Sequence, residues 1–186
     1  MSRRKLALIF LFMAPVLLAA GSRISVTKMG GGIDVHAAPH GASLNTMGGD
    51  IRIGSADGEV VARTMGGNIE VRQLSGGLLA RSMGGNVRVR VVGSGGGRTV
   101  ALHTMGGTVD LIVPRDFDAT FHVEVTDSDS DHGSIVSDIP LTESTASHWT
   151  MFDRRRRTIT GVKTRATQSN HVEISTYGST VTIRRE

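Results

Sequence analysis

The chain of 186 residues contains no cysteine, four prolines, and only 4% aromatic residues. Without cysteine there are no disulfide staples, no thiol chemistry and no lipid attachment through sulfur. With so few aromatic rings, stability has to come from backbone pairing and stacked aliphatic side chains. Catalytic signatures are missing as well. There is no G-x-S-x-G elbow, no phosphate-binding glycine loop and no H-E-x-x-H pair. His36 and His40 are four apart but flank Pro39, and no third ligand accompanies them.

A strong excess of one charge is also lacking once the N-terminus is set aside. The whole chain carries 21 basic and 17 acidic residues, a formal net charge of +4. Arg3, Arg4 and Lys5 lie within residues 1–21, which hold no acid, so the remainder has 18 basic against 17 acidic residues. That near-balance removes the electrostatic basis for nucleic-acid binding.

The same N-terminal stretch has a basic head, an apolar run from Leu6 to Leu18 and a small-residue exit at Ala19-Ala20-Gly21. This order reads as a secretory signal peptide, residues 1–21, too short for a comfortable span of roughly 18 or more apolar residues. The expectation is an exported chain in the periplasm or on the cell surface, with one mature domain over 22–186 and no transmembrane span after cleavage.

What the sequence does have is repetition. Met29-Gly30-Gly31 recurs at Met47, Met65, Met83 and Met105, spaced by 18, 18, 18 and 22 residues. A fixed period of this length marks a solenoid. Aligning the repeats gives apolar columns at Ile33, Ile51, Ile69, Val87 and Val109, and again at Val35, Ile53, Val71, Val89 and Leu111. A third column falls at Ala38, Ala56, Leu74 and Val92. Second strands contribute Ala42, Val60, Leu78 and Val100, then Leu44, Ala62, Ala80 and Leu102. Alternation of this kind marks half-buried strands.

The predicted fold is all-β, a single-stranded parallel β-helix (β-solenoid) of about five 18-residue rungs. Repeats occupy 28–113, and C-terminal strands with a β cap occupy 114–186. Stacked ~4.8 Å apart, the columns become continuous ladders. The double glycines fit positive-φ turns or places where rungs approach too closely for a side chain. The methionines suit corner packing, since an unbranched thioether fills irregular space. The four extra residues within Val92–Arg98 read as a flexible loop.

Outward columns carry the candidate binding chemistry. Asp34, Arg52, Glu70, Arg88 and Asp110 alternate in sign, so stacked neighbours attract. Asn45, Arg63, Arg81 and His103 form a mildly basic column, a solvated face or a contact for an acidic glycan, a lipid headgroup or a protein. Arg154, Arg155, Arg156 and Arg157 are a second basic candidate, placed at a hairpin end before a strand over Thr158 to Val162. Asp127, Asp129 and Asp131 offer alternating carboxylates suited to calcium, although His132 stands where such loops use glycine. An acidic solvated turn is the plainer reading, and no other cofactor is expected. Trp149 and Phe152 are placed to cap the open end of the coil.

The phrase Thr64-Met65-Gly66-Gly67-Asn68-Ile69-Glu70-Val71 resembles the repeats of a bacterial adhesin-like family of unknown function, known for exported β-solenoids. Val113 to Ala119 resembles that family's exit from the repeats, His132 to Leu141 its next strand and Tyr177 to Arg184 its closing strand. The resemblance implies fold and an envelope location and brings no catalytic residues. The functional expectation is therefore a non-enzymatic, adhesin-like structural or binding module of the cell envelope. An envelope sensory or regulatory module is one alternative, and a polysaccharide-acting β-helix enzyme another. The enzyme requires clustered carboxylates, whereas Asp34, Glu70 and Asp110 are each separated by an arginine rung.

Overall fold

The structure, a computed structural model, describes residues 22–128, 133–144, 154–162 and 170–186. The described chain is all-β, and its strands lie in two sheets that enclose one aliphatic core. Odd strands of the repeat region form the first sheet: β1 (Ile24–Lys28), β3 (Ala42–Thr46), β5 (Val60–Thr64), β7 (Leu78–Ser82) and β9 (Thr99–Thr104). Even strands form the second: β2 (Ile33–Ala38), β4 (Ile51–Ala56), β6 (Ile69–Leu74), β8 (Val87–Val91) and β10 (Val109–Val113). Every pairing among these ten strands is parallel.

Registers follow the sequence columns. Ile33, Ile51, Ile69, Val87 and Val109 are successive Cα partners, and so are Leu44, Ala62, Ala80 and Leu102. These side chains are buried and belong to one cluster. Burying a Val, Leu or Ile side chain contributes roughly 1.5–3 kcal/mol. Five apolar columns thus fill the interior of a solenoid whose single coils could not shield their own apolar faces. The third column departs from expectation at one place. Leu74 pairs with Val91 rather than Val92, through a register shift after Val71. The bulge turns Val91 inward and leaves Val92 at the start of the long loop.

The corner after each first-sheet strand is held from inside. Thr64 Oγ1 donates to Gly49 O on the preceding coil at 2.9 Å and accepts from Gly67 N–H of its own coil at 3.1 Å. Ser82 makes the same two bonds, to Gly67 O and from Gly85 N–H, and Thr104 repeats them. From the second phrase on, the second glycine lies against the backbone of the preceding coil. A Cβ on Gly67 would meet Gly49 O and C, and one on Gly85 would meet Gly67 O. Close approach is therefore the reason for these glycines, and positive φ is confined to Gly31 within this column. At the outer side of the corner an amide ladder runs along the stack. Asn68 N–H bonds Asp50 Oδ1 at 2.9 Å, Asn86 N–H bonds Asn68 Oδ1 at 2.8 Å, and Thr108 N–H bonds Asn86 Oδ1 at 2.8 Å.

Beyond the repeats the strands stack out of sequence order. β11 (Ala119–Ser128) and β12 (Ile135–Ser137) follow β10 in the chain, yet neither pairs with it. Instead β15 (Asn170–Tyr177) lies between β9 and β11, and β16 (Val181–Arg185) lies between β10 and β12. The chain passes over one level of the stack and returns to fill it. The return is made by β13 (Thr142–Ser144) and β14 (Arg154–Val162), antiparallel to each other, with β14 antiparallel to β11. Filling is favoured because the last strands carry the repeat pattern. Val172 and Ile174 align with Val100 and Leu102, and Val181 and Ile183 with Val109 and Leu111. Thr176-Tyr177-Gly178 even copies the corner, Thr176 Oγ1 reaching Gly107 O at 3.5 Å.

The Val92–Arg98 loop is pinned rather than loose. Arg98 donates from Nη1 to Val92 O, from Nη2 to Gly93 O and from Nε to Gly95 O, all within 3.0 Å. Its guanidinium carbon lies 5.9 Å from the Phe117 ring centroid, a cation–π distance. Burial lowers the Arg98 pKa from its usual range.

Candidate functional site

The two sheets present different outer faces. On the second sheet, Asp34, Arg52, Glu70, Arg88 and Asp110 are in-register neighbours as expected. Their ion pairs only partly run up the column. Arg88 and Arg184 both meet Asp110 Oδ2 at 3.1 Å. Arg52 turns instead to Asp50 at 2.6 Å, and Arg72 meets Glu70 at 3.2 Å, each within one coil. A residue two positions along the same strand face is close enough to compete with the coil below. Asp34 alone of the five forms no ion pair among the described residues, so this face neutralises most of its column charges.

The first sheet does not. Thr27, Asn45, Arg63, Arg81, His103 and Ser175 are successive Cα partners on its outer face. Arg63 and Arg81 are exposed in-register neighbours, and neither forms an ion pair among the described residues. Like charges directly opposite are destabilising, so this column costs stability that the opposite face avoids.

Beside it runs the methionine column, and here the packing expectation is corrected. Met47, Met65 and Met83 are 49–50% exposed, and Met29 and Met105 more so. Each methionine follows a buried Thr or Ser, or Lys28 at the first coil, and alternation throws it outward while hydroxyl and glycine backbone occupy the corner. Arginine and methionine columns bound a groove of about 630 Å³ that crosses the strands from Lys28 to Met105. Its lining has no carboxylate and no Phe, Tyr or Trp. The Thr and Ser hydroxyls between the columns are committed to the glycine carbonyls described above.

His103 closes the groove at one end, with Nδ1 2.6 Å from Ser175 Oγ. Burial holds this imidazole below its ordinary value, Arg81 pushes the same way, and Glu173 works against them. With a lowered folded value, the stability it contributes is present above the ordinary imidazole range. That contribution is lost as pH falls through the lowered value. An NMR titration should place the His103 midpoint below ~6.5. Arg81→Gln should raise it part of the way, burial being the larger cause; a wild-type midpoint above the ordinary value would refute the arrangement.

The other sequence candidates fall elsewhere. Arg154 to Arg157 are not at a hairpin end ahead of a strand; they are its first residues, paired with Ser128, Asp127, Thr126 and Val125 of β11. Strand β14 starts earlier than expected because β11 extends to Ser128 and supplies partners. They share a sheet with Arg63 and Arg81 but lie several strands away. Asp127 is the next-to-last residue of β11, whereas Asp129 and Asp131 of the calcium candidate, and Trp149 and Phe152 of the cap, lie outside the described residues. Among the described residues, no three His, Asp or Glu side chains converge as a metal site, and no helix is long and apolar enough to cross a membrane. Sequence reasoning found the basic column but missed its apolar partner, although strict Thr-Met alternation carried that signal.

Comparison with known proteins finds no matching family model, curated protein or solved structure.

Proposed function

We propose that this chain is a non-enzymatic, exported β-solenoid of the cell envelope, an adhesin-like structural or binding module that works through the outer face of its first sheet. The observation that carries the reading is the contrast between the two faces. One pairs four of its five column charges, while the other stacks Arg63 on Arg81 without a carboxylate and sets them beside exposed methionines. Unpaired stacked cations persist when an anionic partner compensates for them. The basic head and apolar run of residues 1–21, and the resemblance of the repeats to exported adhesin-like solenoids, support the location. Removal of residues 1–21 and recovery of the shortened chain in the envelope fraction is the expected result of cell fractionation. Retention of the protein on an immobilised acidic polymer should be lost in Arg63→Glu/Arg81→Glu. Unchanged retention would remove the first-sheet face as the working surface.

A further inference from the structure

The groove between the arginine and methionine columns narrows the chemistry of the anion, on the reading that this face binds. Its long axis crosses five strands from Met29 to Met105, about four steps of ~4.8 Å or ~19 Å. One wall is a line of thioethers. The other carries Arg63 and Arg81, exposed side chains whose aliphatic stems can cover apolar surface while the charged ends stay in water.

Along the groove floor the hydroxyls of three successive coils are already committed, so the uncommitted donors lie at its side, on Asn45, Arg63 and Arg81. Thr64 and Thr104 each use their hydroxyl both to donate to one glycine and to accept from another, and Ser82 does the same. The backbones of β3, β5, β7 and β9 beneath are paired on both sides, β1 being the edge of the sheet. A peptide or sugar chain lying along the thioether wall would bury amides or hydroxyls against it without partners, which is costly. A sugar would also lack the aromatic platform such ligands stack on. An alkyl chain needs neither partners nor register, and methionine adapts to it. A second copy of this face would bring cations against cations within the groove.

We infer that this lane holds the acyl chain of a long-chain fatty acid along the methionine column, with its carboxylate held between Arg63 and Arg81. Paired guanidinium groups suit a carboxylate because each presents a planar fork of donors. The cation with the same tail, and the anion with a short one, each lack half of what the groove offers.

The test is calorimetric titration of the full chain with monomeric palmitate, with hexadecyltrimethylammonium and butyrate as comparisons. The expected result is one saturable palmitate site, with each comparison ligand bound at least about tenfold more weakly. Arg63→Glu/Arg81→Glu and Met65→Ser/Met83→Ser should each weaken palmitate by about tenfold or more while leaving the melting temperature near wild type, since all four side chains are at least half exposed or on the exposed face. Equal binding of the cationic tail, or palmitate affinity unchanged in both variants, would overturn the inference. So would binding confined to anionic phospholipid vesicles, or pairing of two chains through this face that palmitate does not disperse. If palmitate fails to bind while wild type, but not Arg63→Glu/Arg81→Glu, stays on the acidic polymer, the fatty-acid assignment falls and the binding face stands.

Discussion

Gly67→Ala is expected to lower stability by about 3 kcal/mol, a fall in melting temperature of about 6–12 °C for a chain of this size. The added Cβ would lie against the carbonyl of Gly49 on the neighbouring coil, and backbone cannot step aside as a flexible side chain can. Relief requires the two coils to separate at the corner, which also stretches the Thr64 and Ser82 bonds that cross there. Gly66→Ala, one residue earlier, meets nothing within 4 Å. It is expected to be neutral or to stabilise by about 0.4–1 kcal/mol through loss of unfolded-state freedom. Thermal or denaturant unfolding of the two variants side by side reads the difference. Equal effects would mean the coils are not in contact at this corner.

Removing the hydroxyl beneath that glycine should cost nearly as much. Thr64→Val keeps shape but leaves the Gly67 N–H and the Gly49 carbonyl without their partner, both at this corner. An unsatisfied buried group costs about 1–3 kcal/mol, and the Gly49 carbonyl is only part-buried, so the pair gives a loss of about 2–4 kcal/mol. Amide exchange at Gly67 should speed up with it. Thr64→Ser retains the hydroxyl and should recover most of the loss, as Ser82 already fills the equivalent place two strands on. A Thr64→Val protein as stable as Thr64→Ser would show that the hydroxyl ladder contributes nothing.

How much of this was legible in the sequence depends on whether a feature repeats. The columns through Ile51, Ile69 and Val87, the all-β class and the parallel register follow from a period that places identical positions on each other. The basic column of Arg63 and Arg81 was readable for the same reason. Features that break the period were not. The bulge that substitutes Val91 for Val92 arises where four extra residues leave the coil. Arg98 converts that loop from a loose insertion into a pinned one through three carbonyl bonds, a three-dimensional convergence with no linear signature.

Strand order was hidden for a different reason. Sequence gives the apolar phase of β11 and of β15 equally well, and both fit the ladder. Which of them lies against β9 is decided by the antiparallel return through β14, which pairs with the far edge of β11. The Thr176-Tyr177-Gly178 echo of the repeat corner was the available clue. For the candidate site, the methionines were misplaced because thioethers pack well in general. The deciding fact is local: the inward position is already taken by Thr or Ser at four of the five phrases.

Because the chain has no cysteine of its own, introduced pairs can test the stacking directly. Arg63→Cys/Arg81→Cys and His103→Cys/Ser175→Cys place thiols on adjacent strands at partnered positions, whereas His103→Cys/Glu124→Cys places them two strands apart. A short bifunctional thiol crosslinker should join the first two pairs rapidly and leave the third free. Failure of residues 63 and 81 to join, or joining of 103 and 124 in preference to 103 and 175, would contradict the stacking order on which the groove depends.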